Sequence, residues 1–118
     1  MNYFSNEEFA CSHCGVVKID EEFLKTLNAI RHEVGFPFVV TSGYRCPEHP
    51  IEARKEKPGA HSTGAAADIA CDSEKAFLIV EAALRHGVTR LGINQSGSAR
   101  FVHLDTANDM PSPRMWSY

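Results

Sequence analysis

Basic residues are in short supply: 12 Lys and Arg stand against 15 Asp and Glu, and the formal net charge is −3 at pH 7. Recognition of a phosphate backbone needs a basic face, so no nucleic-acid partner is expected. Long apolar runs are missing as well. No stretch approaches the roughly 20 residues that span a bilayer, so no membrane span is expected. Repeats, low-complexity tracts and linkers are also lacking. The 118 residues, 1–118, are therefore expected to form one domain, acting as a monomer. The N-terminus, Met1 to Glu8, has no charged stretch followed by an apolar one. Synthesis in the cytoplasm without a Sec-type signal peptide is expected, and any substrate outside the cell would be met only after release.

What is present is an ordinary globular mixture, 43% hydrophobic and 23% charged. Ile19 to Val34 reads as a helix. Asp20 is placed as its N-cap, Phe23, Leu24, Leu27, Ile30 and Val34 form its apolar stripe, and Gly35 stops it. Phe38 to Ser42 reads as a buried strand, Pro47 to Ala60 as an exposed loop, and Ala65 to Ala70 as a short strand. Ser73 to His86 reads as a second helix with Ala76, Phe77, Val80, Ala83 and Leu84 inside. Arg90 to Asn94 and Arg100 to Asp105 complete the pattern as two strands joined by the polar turn Gln95-Ser96-Gly97-Ser98. The fold class is α+β, a mostly antiparallel sheet with two main helices on one face.

Three residues on or beside these strands have metal-ligand chemistry: His61, Asp68 and His103. Side chains alternate along a strand, so Ala66, Asp68 and Ala70 share a face, as do His103 and Asp105. Small residues surround Asp68, and Gly64 permits a turn that returns His61 over it. Taken singly, each of the three reads as an ordinary surface or core polar residue. Taken together on inward faces, two imidazoles and a carboxylate match a catalytic zinc site with an open fourth position.

Thr41-Ser42-Gly43-Tyr44-Arg45, the His61 to Asp68 run with six residues between, and Val102-His103-Leu104-Asp105 resemble the zinc D-alanyl-D-alanine carboxypeptidase family. That family includes cell-wall dipeptidases of vancomycin resistance and phage endolysins. The resemblance extends from Phe9-Ala10-Cys11 to Met115-Trp116, with small phage and bacterial members closest in pattern. It implies Zn²⁺ held by His61, Asp68 and His103, with water in the fourth position. It implies hydrolysis of peptidoglycan stem peptides, with Arg45 stabilising the oxyanion and Ser42 and Tyr44 contacting substrate. The alternative for Arg45 is an ion pair, for instance with Glu48.

The chain departs from the family where many members carry an acid three residues before the last histidine. Arg100 stands there, and Phe101 occupies the position where some relatives have another histidine. Asp105 is the nearest remaining carboxylate. It is assigned as catalytic base, with orientation of the His103 ring as its other reading. Glu48 and Glu52 are weaker candidates. The missing acid also leaves open a non-catalytic module of the same fold, stabilised by zinc and binding the cell wall or a virion partner.

Four cysteines remain: Cys11, Cys14, Cys46 and Cys71. Cys11-x-x-Cys14 with Cys46 and His49 has the composition of a second zinc site. A disulfide between the N-terminal segment and Cys46 is an alternative, and plain thiols are another. His32 and His86 fall near helix C-termini, where a cation is favoured, and carry no assigned function.

Overall fold

A computed structural model describes residues 2–55, 57 and 59–118. Helix α1 spans Glu21–Val34, and strand β1 Val39–Ser42. A short helix α2 spans Pro50–Ala53, followed by a 3-10 turn at Ala60–Thr63. Strand β2 is Ala66–Ala70, helix α3 Ser73–Arg85, and strands β3 to β5 are Arg90–Asn94, Phe101–Asp105 and Arg114–Ser117. The sheet order is β1-β2-β4-β3-β5, antiparallel except for the β3–β5 pair. The α+β class expected from the pattern is the class observed. Among the described residues no helix is long and apolar enough to cross a membrane.

The two faces of the sheet divide the labour. Ala67 and Ile69 of β2, Val102 and Leu104 of β4 and Leu91 of β3 face the helices. Phe23, Leu27 and Ile30 of α1 and Ala76, Ile79, Ala82 and Ala83 of α3 fill the space above them, all nearly sealed from solvent. The Asp20 side chain accepts the Phe23 amide hydrogen bond at 2.9 Å, which starts α1 where expected. Gly35, in the left-handed conformation, ends it. The opposite face carries Asp68, His103 and Asp105, and Ala60, Ala66 and Ala107 form a small apolar patch packed together beside them.

Several expectations are corrected. Phe77 and Leu84, placed inside α3 by size, are 70% and 54% exposed. Ala76 and Ala83 face inward as expected, joined by Ala82 and Ile79, and the small alanines let the helix approach the sheet closely. Strand β1 is an edge strand with Val39 60% exposed, not a buried one, because only β2 pairs with it. The loop expected over residues 47–60 contains α2, started by Pro50 and by the His49 side chain accepting from the Ile51 amide. Of that loop, Glu56 and Pro58 lie outside the described residues. Strand β5 was not anticipated. It is four residues long and follows Pro111 and Pro113, which read as turn signals.

Close approach at one glycine shapes the functional face. A Cβ on Gly43 would stand 2.5 Å from the Phe9 Cα. The Tyr44 amide then donates to the Phe9 carbonyl at 2.9 Å, so the N-terminal segment lies directly against the end of β1. That contact sets the position of Ser42 to Arg45.

Candidate metal centre

Asp68 and His103 are direct cross-strand partners in the β2–β4 pair, which brings their side chains together on one face. His61 arrives from the 3-10 turn before β2, closed by Gly64. The result is a buried cluster: His61, Asp68 and His103 are 5%, 7% and 3% exposed. Asp68 Oδ1 lies 2.9 Å from His103 Nδ1 and 3.2 Å from His61 Nε2. The ring centroids of the two histidines are 4.9 Å apart.

The outward nitrogens of both rings are fixed. His61 Nδ1 donates to the Gly43 carbonyl at 2.6 Å. His103 Nε2 donates to Asp105 Oδ2, also at 2.6 Å. With the rings neutral, these bonds leave His61 Nε2 and His103 Nδ1 as lone pairs that converge on Asp68; when a ring is protonated, the same nitrogen donates to that carboxylate. Two ligand atoms at 2.0–2.1 Å from one tetrahedral ion stand about 3.3 Å apart, close to the spacing seen around Asp68 Oδ1. The donor set and its tautomers therefore fit a divalent ion of zinc type.

Charge follows the same pattern. Burial pushes the Asp68 carboxyl up, but hydrogen bonds from His103 and His61 outweigh it and hold the group well below the usual carboxylate range. Burial opposes charge on His103, yet its bonds to Asp105 and Asp68 win and raise its pKa. Asp105 is held low despite burial, chiefly by His103.

Asp105 has no exposed surface. Its Oδ1 accepts from Arg90 Nε at 2.7 Å and from the Ala107 amide at 3.2 Å, while Oδ2 is taken by His103. It sits behind the His103 ring, on the side opposite Asp68. That placement suits an acceptor that orients the His103 ring.

The cluster opens on a cleft of ≈ 450 Å³ whose wall includes Arg45, Lys55, Phe101, Trp116 and Tyr118. Asp68 is the sole carboxylate on that wall among the described residues. Arg45 Nη2 lies 3.6 Å from Asp68 Oδ2, and Nη1 lies 3.3 Å from Glu52 Oε2, so its ion-pair partners are Asp68 and Glu52, not Glu48. Glu52 also accepts from Lys55 Nζ at 3.0 Å and from the Gly59 amide at 2.6 Å. Burial would raise its carboxyl, but Gly59, Lys55 and Arg45 hold it ionised. Ser42 and Tyr44 do not line the cleft. Ser42 Oγ accepts from Arg45 Nε at 3.1 Å, and the Tyr44 ring lies under Lys18, with the ammonium 5.8 Å from its centroid.

Three neighbours were missed by sequence reasoning. Arg90 stacks over Trp116 at 5.1 Å while holding Asp105, and Trp116 lies 5.2 Å from the His103 ring. Tyr118 packs on Phe101 at 5.0 Å. The resemblance includes Trp116, but its place beside His103 depends on β5 pairing with β3, where Gly92 sits opposite Trp116.

A family model described as Peptidase M15 matches residues 2–105. No curated protein matches the chain. The matched span contains both histidines, both aspartates and Arg45, and it covers nearly all of the fold. On that coverage the chain belongs to the Peptidase M15 family, whose peptidases depend on a metal.

Proposed function

We propose that this protein is a zinc metallopeptidase that hydrolyses stem peptides of peptidoglycan, working as a one-domain monomer after release to the cell wall. The observation that carries the reading is the convergence of His61 Nε2, Asp68 Oδ1 and His103 Nδ1 beside a cleft edged by Arg45. Those three atoms would hold the ion. When bound, zinc supplies an acidified water and a Lewis-acid pull on the scissile carbonyl.

The protein's own groups do the rest. Arg45 presents a guanidinium already braced by Ser42 and Glu52, so its charge meets a developing oxyanion or a substrate carboxylate without reorganising. Ser42 thus acts through Arg45. Trp116 and Tyr118 give the cleft an aromatic wall. Asp105, tied to Arg90, fixes the His103 tautomer.

Digestion of defined muropeptides followed by mass analysis tests the reading. Zinc-dependent cleavage, lost with a chelator and restored by zinc, is expected. Among the described residues Asp68 is the one carboxylate lining the cleft, which favours one other reading, a zinc-stabilised module that binds stem peptides without cutting them. Binding of intact muropeptide by zinc-loaded protein, with no cleavage over extended incubation, would select that reading.

Asp105→Asn keeps the shape but removes the acceptor charge. Zinc affinity should fall about 10–100-fold, measured by competition with a chromophoric chelator. Unchanged affinity together with lost turnover would instead make Asp105 the base.

Zinc must displace a proton from His103. In the metal-free protein the protonated ring is stabilised by Asp105 and Asp68, so its pKa lies above the ordinary ~6.5. Zinc affinity should therefore begin to fall while pH is still above that value and keep falling into mild acid. The contribution of protonated His103 to metal-free stability runs oppositely: present below its unfolded pKa, lost as pH rises through the folded one. Zinc affinity flat across this range contradicts ligation by His103.

A further inference from the structure

A second cluster lies outside the cleft. Cys11, Cys14 and Cys46 place their sulfurs within 4.8 Å of one another. Cys11 and Cys46 are buried, at 2% and 6%, while Cys14 is exposed. Cys11 Sγ and Cys46 Sγ are 3.7 Å apart. Two sulfurs each about 2.3 Å from one tetrahedral zinc stand about 3.8 Å apart, so the spacing already matches shared ligation.

The backbone around Cys11 is shaped for a thiolate. Residues 11–15 form a tight turn in which the Gly15 amide donates to the Cys11 carbonyl at 2.8 Å. Gly15 has φ of 76°, a conformation that a side chain would strain. A bridge between Ala10 and Val17 closes the turn from outside, and the Cys11 amide donates to the Val16 carbonyl at 2.8 Å. The Cys46 amide donates to Cys11 Sγ at 3.4 Å. Amides of Cys46, Cys14 and His13 favour a charged Cys11 against its burial, whereas burial and the neighbouring sulfurs push the Cys46 thiol up to about 11, so a shared cation would be needed to hold both as thiolates. Amide donors aimed at sulfur stabilise a thiolate, the form that binds metal.

We propose that Cys11, Cys14 and Cys46 form a second, structural site for a thiophilic divalent cation such as zinc. A solvent molecule completes the set on the exposed side of Cys14. His49, suggested by spacing as the fourth ligand, is engaged otherwise. The Ile51 amide donates to its Nδ1 at 3.1 Å, which puts its own proton on Nε2, 3.1 Å from Ser12 Oγ.

The ion would staple the N-terminal turn to the segment that follows β1. Cys46 directly follows Arg45, and the same segment supplies the Gly43 carbonyl that orients His61. A cation here thus holds the backbone from which two parts of the cleft are hung. The proposal stands apart from the peptidase reading, since it shares no ligand with His61, Asp68 or His103.

The test uses Co²⁺ as the probe on the reduced, metal-stripped protein. Thiolate-to-cobalt charge-transfer absorption in the near ultraviolet is expected in the wild type and in His61→Ala alike. Metal retained after passage over a chelating resin should be about two ions per chain in the wild type and about one in His61→Ala or Cys14→Ser. Cys14 is exposed, so Cys14→Ser leaves the core intact and should lose the charge-transfer band. Absence of that band in folded wild type overturns the proposal. So does a Cys11–Cys46 disulfide that persists in protein prepared with zinc under reducing conditions. Failure of muropeptide cleavage, by contrast, leaves the cobalt spectrum unaffected and bears only on the cleft.

Discussion

His61→Ala should abolish both tight zinc binding at the cleft and hydrolysis of muropeptides. The variant removes one of three donor atoms and also breaks the bond from His61 Nδ1 to the Gly43 carbonyl. Two ligands cannot hold zinc against a competing chelator, and with the ion gone both water activation and carbonyl polarisation are lost. The fold should survive, because the core of α1, α3 and the inner sheet face does not include His61. The measurement pairs circular dichroism with zinc content and turnover. A folded variant with normal turnover would remove His61 from the mechanism.

Arg45→Ala carries the second large effect. Its side chain is 15% exposed, and its guanidinium bridges Glu52 and Asp68 on the cleft wall. Loss of a preorganised donor to an oxyanion typically costs on the order of 10² in rate. That loss is expected here in kcat/KM, with zinc content unchanged. The competing role is structural, because Glu52 is buried and loses one of its cationic partners. Glu52 keeps Lys55 and the Gly59 amide, so the folded state should persist. Arg45→Lys separates the roles. It keeps a charge for Glu52 but not the fork that spans Ser42 and Glu52 together. A rate for the lysine variant well below wild type, at equal stability and equal zinc, assigns Arg45 to the reaction. Full activity in either variant assigns it to the fold.

Much of this arrangement was legible before any coordinates. Period-two alternation grouped Asp68 with Ala66 and Ala70, and His103 with Asp105; the β2–β4 register joins the two sets on the face turned from the helices. Asp20 and Gly35 bounded α1 because capping is local chemistry. What escaped was non-local. Arg90 reads as a strand residue at any edge, and only the β3–β4 register puts it against Asp105. Trp116 reaches His103 through a parallel pairing that four residues after two prolines do not announce. On α3, Ala76 and Ala83 lie inside as their positions suggest, but Phe77 and Leu84 turn outward, because close helix–sheet packing selects alanine over bulk. Glu52 was taken for a mobile-loop acid. A single helical turn buries it beneath Arg45.

The most direct measurement is an anomalous difference map at the zinc edge from crystals of zinc-loaded protein. The account predicts a peak within bonding distance of His61 Nε2, Asp68 Oδ1 and His103 Nδ1, facing Arg45 across the cleft. A map with zinc at the cysteines, and none among those three atoms in fully loaded protein, would contradict it.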